Sequence, residues 1–252
     1  MGNLDGKVAL VTGAGQGVGQ GIALALAAAG AAVVAAGRTE AKVAGTARTI
    51  VERGGKALAV VCDVFKPEDI TRTVARTVAE LGGIDILVNN AYDGAFGPLL
   101  SLDDEAFMRG IQSGPLASFR FMRACYPHMK ARGGGNIVNL VTAAAVRWDT
   151  SNYGAYAVAK QAVRALTRAA ASEWGRDNIR VNNVAPLASS PALAHWIKTN
   201  PEATTFFDTV ALKRVGDCES DIGRAVAALV GPEMGYLTGA TIPLDGGQAH
   251  FG

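Results

Sequence analysis

Three observations on this 252-residue sequence predict an α/β fold, doubly wound, with seven parallel strands in one sheet and helices on both faces. Short β-rich runs bounded by glycine and polar residues recur at 7–12, 31–36, 56–61, 84–90, 136–142, 179–184 and 240–244. Longer segments with apolar residues at helical spacing separate them, and alternating strand and helix implies parallel pairing. The runs are continuously apolar, as in "VVAA" and "IDILV", which is the pattern of strands covered on both faces.

The first strand, "KVALVT", leads into a glycine-rich turn and an alanine-rich helix. No charge occurs between Lys7 and Arg38. That stretch approaches the length of a membrane span, but its alanine content and Gly30 favour a buried helix running into a buried strand. Downstream, Ala162, Val163, Leu166, Ala169, Ala170 and Trp174 keep helical spacing, and Gly175 is expected to stop that helix. "RGGGN" at 132–136 reads as a turn. The least regular piece is 187–216, after the sixth strand, where such sheets host ligands; it carries Leu193, Trp196, Phe206 and Phe207. It reads either as a helical excursion with its own small core or as a substrate loop. The length suits one domain spanning 1–252.

Apolar residues make up 49% of the chain, charged residues 18%, and the net charge is +2, so no strong field draws nucleic acid or an anionic membrane. Small apolar partners are expected. Cys62, Cys125 and Cys218 lack CxxC spacing, which argues against a disulfide framework and a metal site and fits a reducing, cytoplasmic setting. "MGNLDG" carries neither an export nor a myristoylation signal.

"TGAGQGVG", Thr12 to Gly19, opens the first helix. Glycines there let the backbone turn sharply and approach a pyrophosphate, which the helix dipole and free N–H groups favour. A tight structural turn is the alternative. The spacing fits neither G-x-G-x-x-G nor the P-loop. At the end of the second strand, "VVAAGRTE" has Gly37 and Arg38 where an acid would bind a ribose 2′-hydroxyl, and Arg accommodates a 2′-phosphate. Exposure to solvent is the plain alternative for Arg38.

The turn matches T-G-x-x-x-G-x-G, and the chain resembles the short-chain dehydrogenase/reductase family along nearly its whole length. "CDV" (62–64), "NNA" (89–91), "YAVAK" (156–160), "RVNNVAP" (180–186) and "YLTGATIPLDGG" (236–247) carry the resemblance. It implies a Rossmann-like fold, a nicotinamide cofactor and a homotetramer. Cofactor contacts are implied for Gly13, Gln16, Gly17, Val18, Gly19, Arg38, Asp63, Val64, Asn90, Tyr156 and Lys160. Arg38 and Gln16 make NADP(H) favoured over NAD(H). Neither metal nor nucleic acid is implied.

The resemblance also implies an acid–base pair. Residues four apart share a helix face, so Tyr156 and Lys160 enter the same cleft while Tyr153 lies a turn earlier. A unit charge at ~4 Å and effective dielectric ~20 is worth about 4 kcal/mol, so Lys160 is expected to make the phenol more acidic. Alone, Y-x-x-x-K equally fits a helix with a buried Tyr and an exposed Lys. Tyr156 would exchange a proton with a hydrophobic secondary alcohol or ketone as hydride moves to or from nicotinamide.

Several positions depart from the family pattern. Thr142 stands where a polarising serine is usual, keeping the hydroxyl and adding a methyl. The family's helix asparagine, part of a proton relay, falls at Gly114, and Pro115 should kink that helix, with the relay either lost or passed to Gln112 or Ser113. "NNAG" has become "NNAY", and the Pro-Gly after the sixth strand is Pro186-Leu187. Tyr92, Trp148 and Trp196 suggest an apolar wall. These departures also support a rival reading, a cofactor-binding protein impaired in hydride chemistry; dehydration or epimerisation is a third.

Overall fold

Strands β1 (Val8–Thr12), β2 (Ala32–Gly37), β3 (Ala57–Val61), β4 (Ile86–Asn89), β5 (Gly135–Leu140), β6 (Ile179–Pro186) and β7 (Thr241–Leu244) form one parallel sheet in the order β3-β2-β1-β4-β5-β6-β7. This is a computed structural model, which describes residues 2–147, 152–199, 207–208 and 210–251. Each strand begins and ends within two residues of its expected bounds. The chain winds outward from β1 to β3, then returns to β4 and winds the other way. The reversal opens a crevice at the carboxyl ends of β1 and β4, the place where such sheets bind ligands.

The helices are α1 (Gly17–Ala28), α2 (Glu40–Glu52), α3 (Pro67–Leu81), α4 (Asp104–Ile111), α5 (Ala117–Ala131), α6 (Gly154–Trp174), α7 (Pro191–Thr199) and α8 (Arg224–Val230). Successive β1 residues feed different cores, because side chains alternate across a strand. Ala9 and Val11 join Ile22, Leu26 and Val226 under α1 and α8, whereas Leu10 joins Val74, Phe121, Met122 and Ala170 under α3, α5 and α6. The charge-free stretch is therefore core: α1 buries Ile22, Ala23, Leu24, Ala25 and Leu26 and feeds a buried β2. Among the described residues no helix is long and apolar enough to cross a membrane.

Two local expectations meet different outcomes. Pro115 does deform its helix, since α4 and α5 are joined by a widened π turn over Gln112–Leu116. Gly175 does cap α6 after Trp174, but in a right-handed conformation (φ −56°); it opens a short 3₁₀ turn, and Asn178 (φ 56°) makes the reversal. Asparagine visits that conformation more readily than most residues, and here its side chain is fixed by donating to the distant Gly133 carbonyl oxygen at 3.0 Å.

A buried polar row crosses the sheet. Asn89, Asn139, Asn183 and Thr241 are register partners on β4 to β7. Asn89 Nδ2 donates to Asn139 Oδ1 (2.8 Å), Asn139 Nδ2 to Thr167 Oγ1 (2.8 Å), Thr167 Oγ1 to Asn183 Oδ1 (2.7 Å) and Asn183 Nδ2 to Thr241 Oγ1 (3.1 Å). Thr167 belongs to α6, so it ties that helix directly to β5 and β6. Buried amides are tolerated because these donors and acceptors satisfy one another.

Candidate active site

The glycine-rich turn sits at the carboxyl end of β1. Gly13 (φ 64°) and Gly17 (φ 59°) are left-handed, a conformation that side chains rarely adopt. A Cβ at Gly19 would lie 2.3 Å from Asn90 Nδ2 and 2.4 Å from the Gly13 oxygen, so only glycine fits. Asn90 Nδ2 donates to the carbonyl oxygens of Thr12 (2.9 Å) and Gly13 (3.2 Å), while the Asn90 and Ala91 amides donate to Thr12 Oγ1 (3.0 and 3.1 Å). Asn90 thus braces the turn from β4. No side chain caps α1, and no acid lies in its first turn, which suits an incoming anion. Val18 packs half-buried against the core below. On the other side, a Cβ at Gly17 would approach Ser190 Cβ at 3.2 Å and Pro191 Cδ at 3.4 Å, so the start of α7 leans on the turn.

At the end of β2, Arg38 is half-exposed and pairs with Asp93 at 2.8 Å; Arg109 holds the same carboxylate through two nitrogens, at 3.2 and 2.8 Å. Arg109, and then Arg38, keep Asp93 below the usual carboxylate range. Lys42, in the first turn of α2, donates to Gln16 Oε1 at 2.5 Å. Lys42 was not foreseen; the only hint is a second cation in the first turn of the helix that follows Arg38. At the end of β3, Val64 is buried and Asp63 Oδ1 accepts from the Phe65 amide at 3.1 Å, while Asp69 receives the Asp63 amide at 2.9 Å.

Tyr156 and Lys160 lie on one face of α6. Lys160 is buried rather than exposed, 4% accessible, and its Nζ donates to the Leu140 oxygen on β5 at 2.7 Å. Thr142 follows β5, accepts from the Ala144 amide at 3.2 Å, and hydrogen-bonds Tyr156. The three residues thus converge. Their electrostatics correct the expectation of an acidic phenol: burial raises Tyr156 to about 12, and the Thr142 hydrogen bond only partly offsets it. Burial likewise pulls Lys160 down to about 7. Both changes disfavour the charged form, as desolvation must.

Tyr92 occupies the space beside Gly114. Its ring centroid is 4.9 Å from that of Tyr156, and Lys160 Nζ lies 4.7 Å from it. Neither residue proposed to replace the family asparagine does so. Ser113 bonds the Asp93 backbone oxygen at 2.7 Å and the Arg109 oxygen at 3.0 Å, and Gln112 is exposed.

Of the expected apolar wall, Tyr92 stands against Tyr156 and Trp196 is half-buried on α7, while Trp148 lies outside the described residues, as does Phe206. Among the described residues, the rings gathered round Tyr156 are Tyr92, Phe96 (5.3 Å) and Tyr153 (6.1 Å). Phe96 is 55% exposed and was missed because a lone loop phenylalanine carries no periodic signal. The 187–216 segment leaves the sheet through a neck in which Ser189 N donates to the Gly216 oxygen (2.8 Å) and Gly216 N to the Leu187 oxygen (3.2 Å); α7 lies beyond it.

A family model described as enoyl-(acyl carrier protein) reductase matches residues 13–249. The chain is 40% identical to a 12α-hydroxysteroid dehydrogenase from a Clostridium species, over 98% of each chain. It is 36% identical to a 7α-hydroxysteroid dehydrogenase from Clostridium sardiniense, over 99% of this chain and 95% of that one. Among solved structures, a 7α-hydroxysteroid dehydrogenase complexed with NADH and 7-oxo glycochenodeoxycholic acid superposes with a TM-score of 0.93 at 32% identity, over 98% of this chain and 95% of that one.

Proposed function

This chain belongs to the short-chain dehydrogenase/reductase family, and from that membership we propose that it transfers hydride between a nicotinamide cofactor and a secondary alcohol or ketone on a rigid, hydrophobic ring system. The observation that carries the reading is the convergence of Thr142 on Tyr156, one turn from Lys160, beside the carboxyl ends of the strands. The ring-system substrate rests on the hydroxysteroid dehydrogenase relatives and on the rings of Phe96 and Tyr153 flanking Tyr156. Segment 187–216 is the substrate loop in this reading.

The cofactor suits the residues present. Two left-handed glycines and an uncapped helix start would take the pyrophosphate, and Arg38 with Lys42 would hold a 2′-phosphate, favouring NADP(H) over NAD(H). The reduced nicotinamide, when bound, supplies the hydride. Tyr156, kept protonated by burial, gives its proton to the carbonyl oxygen, and the Thr142 hydroxyl steadies that oxygen. Lys160 places positive charge behind the phenol as it loses the proton. In alcohol oxidation the proton returns to Tyr156.

The test is nicotinamide absorbance with NADPH or NADH and a panel of ring ketones and hydroxysteroids, with Tyr156→Phe as control. Wild-type turnover with at least ~100-fold loss in the control is expected. Turnover untouched by that control would remove the mechanism, and tight cofactor binding without turnover would favour the impaired reading. The same reading places the protein in the cytoplasm as a homotetramer, which equilibrium sedimentation at four chain masses would support.

A further inference from the structure

The half-buried ring of Tyr92 is used by neither the fold nor the proton transfer just described. It sits in a socket made by three glycines. A Cβ would lie 2.2 Å from Tyr92 Oη at Gly94, 2.7 Å from Oη at Gly110 and 3.4 Å from Cδ2 and Cε2 at Gly114. Any larger side chain at Gly94 or Gly110 would expel the ring. Its hydroxyl is buried and has no hydrogen-bond partner among the described residues.

The ring's contacts lie on its faces. Lys160 Nζ stands 4.7 Å from its centroid and 5.8 Å from that of Tyr156, and the two tyrosine rings are 4.9 Å apart, tilted by 55°. An ammonium within about 6 Å of an aromatic face is attracted by the ring quadrupole, most strongly when desolvated. Lys160 needs that help. Its ammonium donates to the Leu140 oxygen of β5, and burial weakens its hold on the proton. The phenols of Tyr92, from the loop after β4, and Tyr156, from its own helix, face it. Asp93, next to Tyr92, spends its carboxylate on Arg38 and Arg109.

We propose that Tyr92 is a positioning residue for the Tyr156–Lys160 pair: its π face holds the ammonium charged and in place, Gly94 and Gly110 make the room that seats it, and its hydroxyl plays no part. The proposal rests on the reading of Tyr156 and Lys160 as the proton-handling pair, but its test does not require turnover.

The protein is labelled with ¹³C,¹⁵N-lysine, the Lys160 signal is assigned by loss in Lys160→Met, and its titration is followed in wild type, in Tyr92→Phe, and with 3,4,5-trifluorophenylalanine incorporated at position 92. The fluorinated ring keeps the shape and drains the π face, so a packing role would not respond to it. Tyr92→Phe is expected to titrate with the wild type and to melt no lower. The fluorinated protein should hold the Lys160 proton about tenfold more weakly, moving the titration down by about one unit. If the assays above give turnover, kcat should fall with it while KM for the carbonyl substrate stays within about twofold. An unmoved titration in the fluorinated protein overturns the proposal, and so does a Tyr92→Phe shift as large as the fluorinated one, which would make the hydroxyl the active part. Absence of turnover with the expected titrations would count against the function proposed above and leave this arrangement standing.

Discussion

Asn90 and Gly19 fit together with no atom to spare: the space a Cβ at 19 would need is already held, at 2.3 Å, by the amide nitrogen of Asn90 that binds the Thr12 and Gly13 carbonyl oxygens. The nucleotide turn is therefore shaped from outside, by a residue of the neighbouring strand. Asn90→Ala is expected to leave those two oxygens short of donors, destabilise by about 1–3 kcal/mol and weaken NADPH binding. Thermal melting and nucleotide fluorescence titration check both.

Gly19→Ala drives a methyl into backbone as well as side chain, and the Gly13 oxygen at 2.4 Å cannot swing aside. It should lower the melting point more than Asn90→Ala and abolish nucleotide binding. A variant that binds NADPH normally would show that the turn re-forms around the methyl.

Arg38 and Lys42 enter the cofactor choice differently. Arg38 is shared with Asp93, whereas Lys42 reaches Gln16 on the turn itself. Replacing either with alanine is expected to weaken NADPH about tenfold or more, through loss of a charge-assisted bond, and to leave NADH nearly unchanged. Asp93→Asn frees Arg38 and should tighten NADPH. Titrations of the two nucleotides at fixed ionic strength separate these outcomes.

Stability should depend on pH in a manner set by the buried pair. Lys160 in the folded chain titrates at about 7 against 10.5 when unfolded, so between these values the unfolded chain carries a proton that the folded chain lacks. Stability therefore rises with pH through that window, by an amount on the order of 4 kcal/mol. Tyr156 titrates at about 12 folded against 10.0 unfolded, so above pH 10 the folded chain keeps a proton the unfolded one loses, and stability falls again. Denaturant melts from pH 7 to 11 should show the maximum near pH 10. In Lys160→Met the lower slope should vanish, with a gain in stability at pH 7 and loss of turnover.

The fold was legible because covered strands and alternating elements leave a strong pattern, and β1 to β7 all lie where their apolar runs begin and end. Helical spacing was enough to put Tyr156, rather than Tyr153, on the face of α6 that carries Lys160, since an i, i+4 relation needs no tertiary information. Depth did not show in the sequence. Lys160 was expected to acidify its neighbour, yet desolvation disfavours the charged form of each group. Tyr92 and Gly114 each stood out as a departure, but that one fills the room beside the other depends on how the loop after β4 folds back on the kinked helix. Lys42 and Phe96 lacked any repeating pattern to mark them.

The row running from Asn89 through Asn139, Thr167 and Asn183 to Thr241 has a bearing on assembly. Val, Ile and Leu can slide past one another with little to distinguish one alignment from the next. An amide cannot, because a slip of one residue would turn it to the opposite face and strand its partners on either side. Four neighbouring strands are thus checked against each other at a single level, and the helix bearing the candidate acid can settle only once that check is passed.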